Sequence, residues 1–218
     1  MRKALVVFSG GQDSTTCLCW ALKHFDSVSA ISFDYSQRHK IELECAKNIT
    51  KKLNVTHAIF DLRILSQLTK NALTHEELEI KWNEQLPSTF VPARNLHFLS
   101  FAATHAYENG INDIVTGVCQ TDFSGYPDCR DEFIRSLERT LQLALLKPVA
   151  IHTPLMFLTK KETVEFMHDL GMLDLLALSH TCYYGKRPAC GLCPACKLRL
   201  KGFQEAEISD PLEYEKTI

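Results

Sequence analysis

No stretch of this 218-residue chain approaches the roughly 20 consecutive apolar residues of a membrane-spanning helix, so no membrane partner is expected. Positive charge is not in surplus either. The chain has 24 lysines and arginines against 26 aspartates and glutamates. That balance leaves nothing with which to neutralise a run of phosphates, and it argues against direct binding of nucleic acid. The opening Met1-Arg2-Lys3 leads straight into a short apolar run with no small-residue cleavage site behind it. No export signal is read there, and a cytoplasmic location is expected. Internal repeats and low-complexity tracts are also absent.

Cysteine, by contrast, is abundant. Nine cysteines, an odd number in a large chain without an export signal, read as reduced thiols and not as a disulfide framework. Cys17 and Cys19 lie two apart on a predicted helix, so they face different ways and cannot share a metal; with Cys45 they are read as small core residues. Cys182, Cys190, Cys193 and Cys196 are different. Thiolates at Cys-x-x-Cys spacing reach one ion from a tight turn, and Gly191 and Pro194 suit such turns. Four thiolates complete a tetrahedron, so one structural Zn²⁺ is expected, pinning a terminal helix over Lys197 to Glu207. Redox cysteines and unmetallated core thiols are the alternatives. His180, two residues before Cys182, is read as a surface residue or as support for the ligands from outside.

The remaining pattern alternates strands and helices. Strands are predicted at Ala4–Phe8, Val28–Phe33, Thr56–Leu62 and Asp113–Val118, and helices at Thr15–Phe25, Lys40–Leu53, Pro92–Tyr107, Arg130–Leu146 and Thr159–Leu170. The last carries a capping box, Thr159 with Glu162. This implies an α/β fold: a Rossmann-like open parallel sheet of about five strands with helices on both faces, plus a small C-terminal zinc-stapled helical subdomain. Residues 1–150 would form the nucleotide-binding domain and 151–218 the helical region with the zinc site. The loops at Ser9, Asp34, Asn95 and Gly117 should converge beyond the carboxyl ends of the strands. Residues 71 to 91 break the rhythm and are read as a mobile lid or binding loop.

One loop organises the chain. Phe8-Ser9-Gly10-Gly11-Gln12-Asp13-Ser14-Thr15-Thr16 joins an apolar strand to a helix, with Asp13 or Ser14 as the expected cap. Two adjacent glycines turn the backbone so that its N–H groups, with the positive helix end, make an anion site. The spacing G-x-x-x-x-G-K-[ST] and its lysine are missing, which disfavours transfer of the γ-phosphoryl group. Ser9 to Ser14 instead resembles the signature of the PP-loop ATP pyrophosphatases, which transfer AMP to a substrate oxygen.

Two further stretches sharpen the resemblance. Gly117 to Arg130 looks like the substrate segment of the 7-cyano-7-deazaguanine synthases, and Phe90–Asn95 and Asp34–His39 resemble two more blocks of that family. The resemblance spans nearly the whole chain. It departs at Ser36, where the family usually has glycine, and in the short tail after Gly202, which bears on the homodimer contact the family allows. The resemblance implies a carbon–nitrogen ligase that converts 7-carboxy-7-deazaguanine, ammonia and ATP into the 7-cyano compound, a queuosine precursor. A carboxylate resists ammonia until an oxygen becomes a leaving group; adenylation of the acid, and then of the amide, supplies one each time.

On that reading ATP is held by the span Phe8 through Thr16 with Cys17 and Leu18, and Asp13 helps to hold Mg²⁺. Arg94 and Lys160 neutralise phosphate charge as AMP transfers. Asn95, Asp122, Phe123, Tyr126, Asp128 and Arg130 contact the substrate: Asp122 or Asp128 reads the base, Phe123 or Tyr126 stacks on it, and Arg130 pairs with the carboxylate. Cys129 is not expected to act as a nucleophile, since adenylation already supplies the activation. Two other classes compete. A PP-loop enzyme acting on tRNA itself would want a basic face, and a zinc-knuckle binding module would hold nucleotide without turnover.

Overall fold

The computed structural model describes residues 1–81, 86–121 and 126–215. Five strands, β1 (Lys3–Val7), β2 (Ser27–Asp34), β3 (Thr56–Asp61), β4 (Asp113–Thr116) and β5 (Ala150–His152), form one sheet in the order β3-β2-β1-β4-β5. Every pairing is parallel, and Leu5 of β1 stands opposite Ser29 of β2 and Ile114 of β4. The helices are α1 (Gln12–His24), α2 (Ile41–Lys52), α3 (Ile64–Leu68), α4 (Arg94–Glu108), α5 (Asp131–Leu145), α6 (Lys160–Asp169) and α7 (Pro194–Glu205).

The apolar run of β1 has a simple cause: both of its faces are covered. Leu5, with Ile31, Ile114 and Ile151 of its neighbours, packs against Leu99 and Ala102 of α4 and Ile134 and Leu137 of α5. Ala4 and Val6, with Ala30 and Val115, meet Leu18 and Ala21 of α1 and Ala46 and Ile49 of α2. A third cluster stacks behind α1, joining Cys19 to Val164 and Met167 of α6 and Phe203 of α7. Cys17, Cys19 and Cys45 are buried as expected. None of the described helices is long and apolar enough to cross a membrane.

Some boundaries differ from expectation. The first helix starts at Gln12, with Gly11 as its N-cap and no side-chain cap, so Asp13 and Ser14 lie inside the first turn and neither caps it. The fourth strand stops at Thr116, and α7 begins at Pro194, inside the cysteine motif. The fifth strand has three residues, and α3 has five. The capping box at Thr159 and Glu162 is present in both directions. Among its described residues, the stretch from 71 to 91 has no helix or strand, yet it is tied down. Arg38 donates from its backbone to the Leu73 carbonyl at 2.7 Å and from Nη1 to that of Leu78 at 3.1 Å. Ala72 N donates to the Ser88 carbonyl at 2.8 Å.

Candidate active site

In a doubly wound sheet a crevice opens where strand order reverses, here between β1 and β4. A cavity of about 280 Å³ occupies that place. It is lined from the loop after β1 (Ser9, Gly11), the segment after β2 (Tyr35, Gln37), the start of α4 (Arg94, Asn95) and the end of β4 (Gly117, Cys119). The four loops expected to meet do so.

The glycine turn is locked by its neighbour. Gly10 has φ +86°, and a Cβ there would lie 2.3 Å from the Glu42 carbonyl oxygen, so no other residue fits. Ser14 Oγ donates to the Gly11 carbonyl at 3.2 Å and sits 3.0 Å from Ser9 Oγ, while Ser9 Oγ accepts from Gly11 N at 3.2 Å. Phe8, Gln12, Asp13 and Ser14 line the cavity with Ser9 and Gly11. Thr15, Thr16, Cys17 and Leu18 lie behind it, fully buried in α1.

Lys160 is the first residue of α6, and the capping box fixes its position: Glu162 N donates to Thr159 Oγ1 at 3.2 Å and Thr159 N to Glu162 Oε2 at 2.7 Å. Its Nζ reaches across to both Asp13 oxygens at 2.8 Å. Close packing also holds its stem. A Cβ on Gly202 of α7 would lie 2.8 Å from Lys160 Cγ and 3.0 Å from its carbonyl oxygen.

Arg94 lies in the cavity wall between two phenol rings, 6.0 Å from the Tyr35 centroid and 5.8 Å from that of Tyr126. Its Nη1 donates to Tyr35 Oη at 3.4 Å. Among the described residues no carboxylate pairs with it, so this guanidinium is available to an anion.

The substrate residues divide. Asn95 and Tyr126 line the cavity, and Thr89 Oγ1 holds the Tyr126 hydroxyl at 2.6 Å. Asp128 is buried outside the lining; its Oδ2 accepts from Asn95 N at 2.9 Å, and its carbonyl accepts from Asn95 Nδ2 at 3.2 Å. The N-cap of α4, Ala93, has φ +57° and no capping side chain. Asp128 therefore caps α4 from a distant part of the chain. Arg130 is exposed and outside the lining. Asp122 and Phe123 lie outside the described residues. Cys129 lines the cavity, but burial, helped by the Asp128 charge, pushes its thiol up to about 12, far from a reactive thiolate.

The four cysteines come together. Their sulfurs lie within 4.8 Å of one another, all in buried residues, and Cys190 and Cys196 are 3.9 Å apart. A tetrahedral ion with metal–sulfur bonds of about 2.3 Å sets sulfur edges of about 3.8 Å, so the set fits a metal. Leu192 N and Cys193 N donate to Cys190 Sγ at 3.4 and 3.3 Å. Hydrogen bonds from Cys193 and Cys196 hold the Cys182 thiol low, and the one to Cys182 pushes Cys193 up to about 11. A bound cation would take all four sulfurs as thiolates, releasing their protons. His180 is fully buried and not at the surface; its N–H donates to the Gly10 carbonyl at 3.0 Å. The cysteine region thus braces the glycine turn.

Sequence reasoning missed several wall residues. Glu42, Tyr183 and Arg199 line the cavity, and no motif marks them. Arg199 is buried in α7 against Asp210 at 2.7 and 2.8 Å and donates to Ser179 Oγ at 2.7 Å.

Fold and crevice together define an α/β protein with a Rossmann-like, open parallel sheet and a cavity at its switch point. Its fold resembles that of a 4-thiouridine synthetase solved with RNA and bound ATP, with a TM-score of 0.54 and 17% identity over 94% of this chain and 50% of that one. Closer relatives exist in sequence. A 7-cyano-7-deazaguanine synthase of Bacillus subtilis (strain 168) is 56% identical over 94% of both chains. One from Clostridium botulinum (strain 657 / Type Ba4) is 56% identical over 94% of this chain and 96% of its own. Residues 3–207 match the model of the queuosine biosynthesis protein QueC, and the chain belongs to that family of enzymes.

Proposed function

We propose that the protein converts 7-carboxy-7-deazaguanine, ammonia and ATP into 7-cyano-7-deazaguanine through an adenylated carboxylate and then an adenylated amide. The observation that carries this reading is the 56% identity, across 94% of both chains, to a protein named for that product. The cavity supports it chemically. The N–H groups at Ser9 and Gly11 and the Ser14 hydroxyl offer donors to a pyrophosphate beside the positive end of α1. Lys160 and Arg94 offset charge developing on the transferred phosphate. Asp13 would join a Mg²⁺ site once Lys160 turns from its carboxylate to phosphate. Magnesium supplies charge neutralisation there; the chain's own part is to aim Lys160 and Asp13 at the same place.

Asn95 and Tyr126 would orient the deazaguanine. Because Asp128 is engaged in capping α4, the base contact falls to Asp122, with Phe123 stacking beside it; Arg130 would have to turn inward to reach a carboxylate. The four cysteines hold one structural Zn²⁺, closed to substrate. We take residues 1–150 as the nucleotide-binding part and 151–218 as its zinc-bearing support, working in the cytoplasm, where cysteines outside any disulfide stay reduced. A homodimer remains the family-like assembly, and tRNA is not a direct partner, given the charge balance.

Incubation of purified protein with ATP, Mg²⁺, ammonium and 7-carboxy-7-deazaguanine tests this. Nitrile, AMP and pyrophosphate in mass-resolved chromatography are the expected products. No substrate-dependent ATP consumption by folded, zinc-replete protein would overturn the reading, and ADP as product would overturn the adenylation.

A further inference from the structure

The proposed function brings three reactants into one cavity. Two are anions, and Lys160 and Arg94 answer them. The third arrives as a cation, ammonium, and a cation leaving water needs an anionic acceptor on the protein. Among the described residues, the carboxylates lining the cavity are Asp13 and Glu42. Both oxygens of Asp13 are engaged by Lys160. Glu42 is different.

Glu42 lies in the first turn of α2, its backbone locked against the glycine turn by the fit at Gly10. Its side chain is 15% exposed, and its Oε2 sits 3.2 Å from His39 Nε2. Its Oε1 would lie 3.6 Å from a Cβ on Gly11, which puts the carboxylate alongside the turn that is to hold the pyrophosphate. His39 lines the same cavity, buried, and its Nδ1 has no hydrogen-bond partner. Tyr35 and Tyr183 complete the walls. Burial above all pushes both phenols up, and the Glu42 charge adds to it in each case, so the carboxylate is within electrostatic reach of both rings. A carboxylate oxygen braced by a buried histidine, with aromatic walls beside it, makes a small site suited to a compact cation.

We propose that Glu42, positioned by His39, binds the ammonium ion that supplies the nitrogen. The assignment rests on the function proposed above and deepens it. Its rival is that Glu42 contacts the deazaguanine base, whose N1–H and exocyclic amine also seek a carboxylate.

Glu42→Gln separates the two. With ammonium chloride as the varied substrate, its KM should rise about tenfold or more, as expected on losing a charge-assisted contact. The KM for 7-carboxy-7-deazaguanine should stay within about twofold, and exchange of labelled pyrophosphate into ATP, driven by that acid without ammonium, should persist. An unchanged ammonium KM overturns the site. Loss of exchange, or an equal rise in the deazapurine KM, overturns it in favour of the base contact. His39→Ala keeps the test open should Glu42→Gln not fold: a rise of about threefold in ammonium KM alone is expected, and no change overturns the assignment. A wild-type protein without exchange fails the function itself, an outcome distinct from all of these.

Discussion

The glycine turn before α1 and the cysteine turn before α7 are built alike. Each turns on a glycine in the left-handed region, Gly10 at φ +86° and Gly191 at φ +68°, each runs into a helix, and in each the backbone N–H groups of the turn are directed inward. Their difference lies in what those groups meet. At Cys190 the N–H groups of Leu192 and Cys193 find a sulfur of the same motif, so the acceptors come from the chain and the site is closed. At Ser9 and Gly11 the acceptors are hydroxyls that an anion can displace, and the turn opens on a cavity. The same backbone device is therefore closed on its own chain in one place and open to a ligand in the other. The two regions are joined: His180 N–H holds the Gly10 carbonyl, and α7 presses Gly202 against Lys160.

Breaking the closed site should have the largest effect. Cys193→Ser, or chelation of the wild type, should release one equivalent of zinc and lower the melting temperature by at least about 10 °C, since structural zinc sites carry folding free energy. A protein that keeps its melting temperature without metal would show that the cysteines pack as an ordinary core. Gly202→Ala tests the junction. The added methyl meets Lys160 at 2.8 and 3.0 Å and should destabilise by about 1–3 kcal/mol, with AMP formation falling beyond what the melting shift explains. Equal activity per folded molecule would uncouple the regions.

How much was legible in the sequence follows the same division. The cysteine cluster was readable because all four cysteines lie within one short stretch, and spacing alone carries the geometry. The glycine turn was readable for the same reason, as were β1 to β4 and the Thr159 capping box. The cavity walls were not. Glu42, Tyr183 and Arg199 come from three separate segments, and only the fold brings them together. Asp128 carries a carboxylate in a motif-like stretch, so base reading was a natural expectation; that it caps α4 depends on a contact 33 residues away. The fifth strand, Ala150–His152, is too short to show alternation, and α3 too short to show helical spacing.

Cys129 gives a pH test of the open site. Its thiol rises from 9.0 to about 12 in the folded protein. A raised value means that its contribution is fully present below pH 9 and is lost as pH climbs from about 9 towards 12, because the unfolded chain gives up the proton first. Stability at about pH 10.5 should fall by about 2 kcal/mol through this group. Cys129→Ala should flatten that part of the decline in chemical denaturation, and an unaltered slope would contradict the burial. Iodoacetamide near neutral pH should leave Cys129 unmodified in the native protein.

Asp128 offers a smaller and more discriminating effect. Asp128→Ala removes the cap and should cost about 1 kcal/mol, with a fall in kcat as Arg94 and Asn95 lose their alignment. Asp128→Asn keeps an oxygen for the Asn95 N–H and should restore most of both. If the Asn variant binds 7-carboxy-7-deazaguanine as poorly as the Ala variant, the carboxylate itself reads the base, and the division between wall and support drawn here is wrong at that residue.

The smallest expected change is at Ser36. The family resemblance leads one to expect glycine in this block, and Ser36 has φ +63°, so the backbone does take the left-handed conformation that glycine adopts freely. Two contacts hold the serine there: its N–H donates to Asp34 Oδ1 at 3.0 Å, and the next side chain, Gln37 Oε1, accepts from Tyr35 N at 3.0 Å. Ser36 itself is outside the cavity lining, so it does not narrow the pocket directly. Relief of a left-handed non-glycine residue is worth about 1 kcal/mol, partly offset by the greater freedom of glycine in the unfolded chain. Ser36→Gly should therefore raise the melting temperature by about 1–3 °C at unchanged ammonium and deazapurine KM. A drop in stability would mean that the turn is held by the serine and not merely tolerated by it, and a change in either KM would place this segment among the walls of the open site.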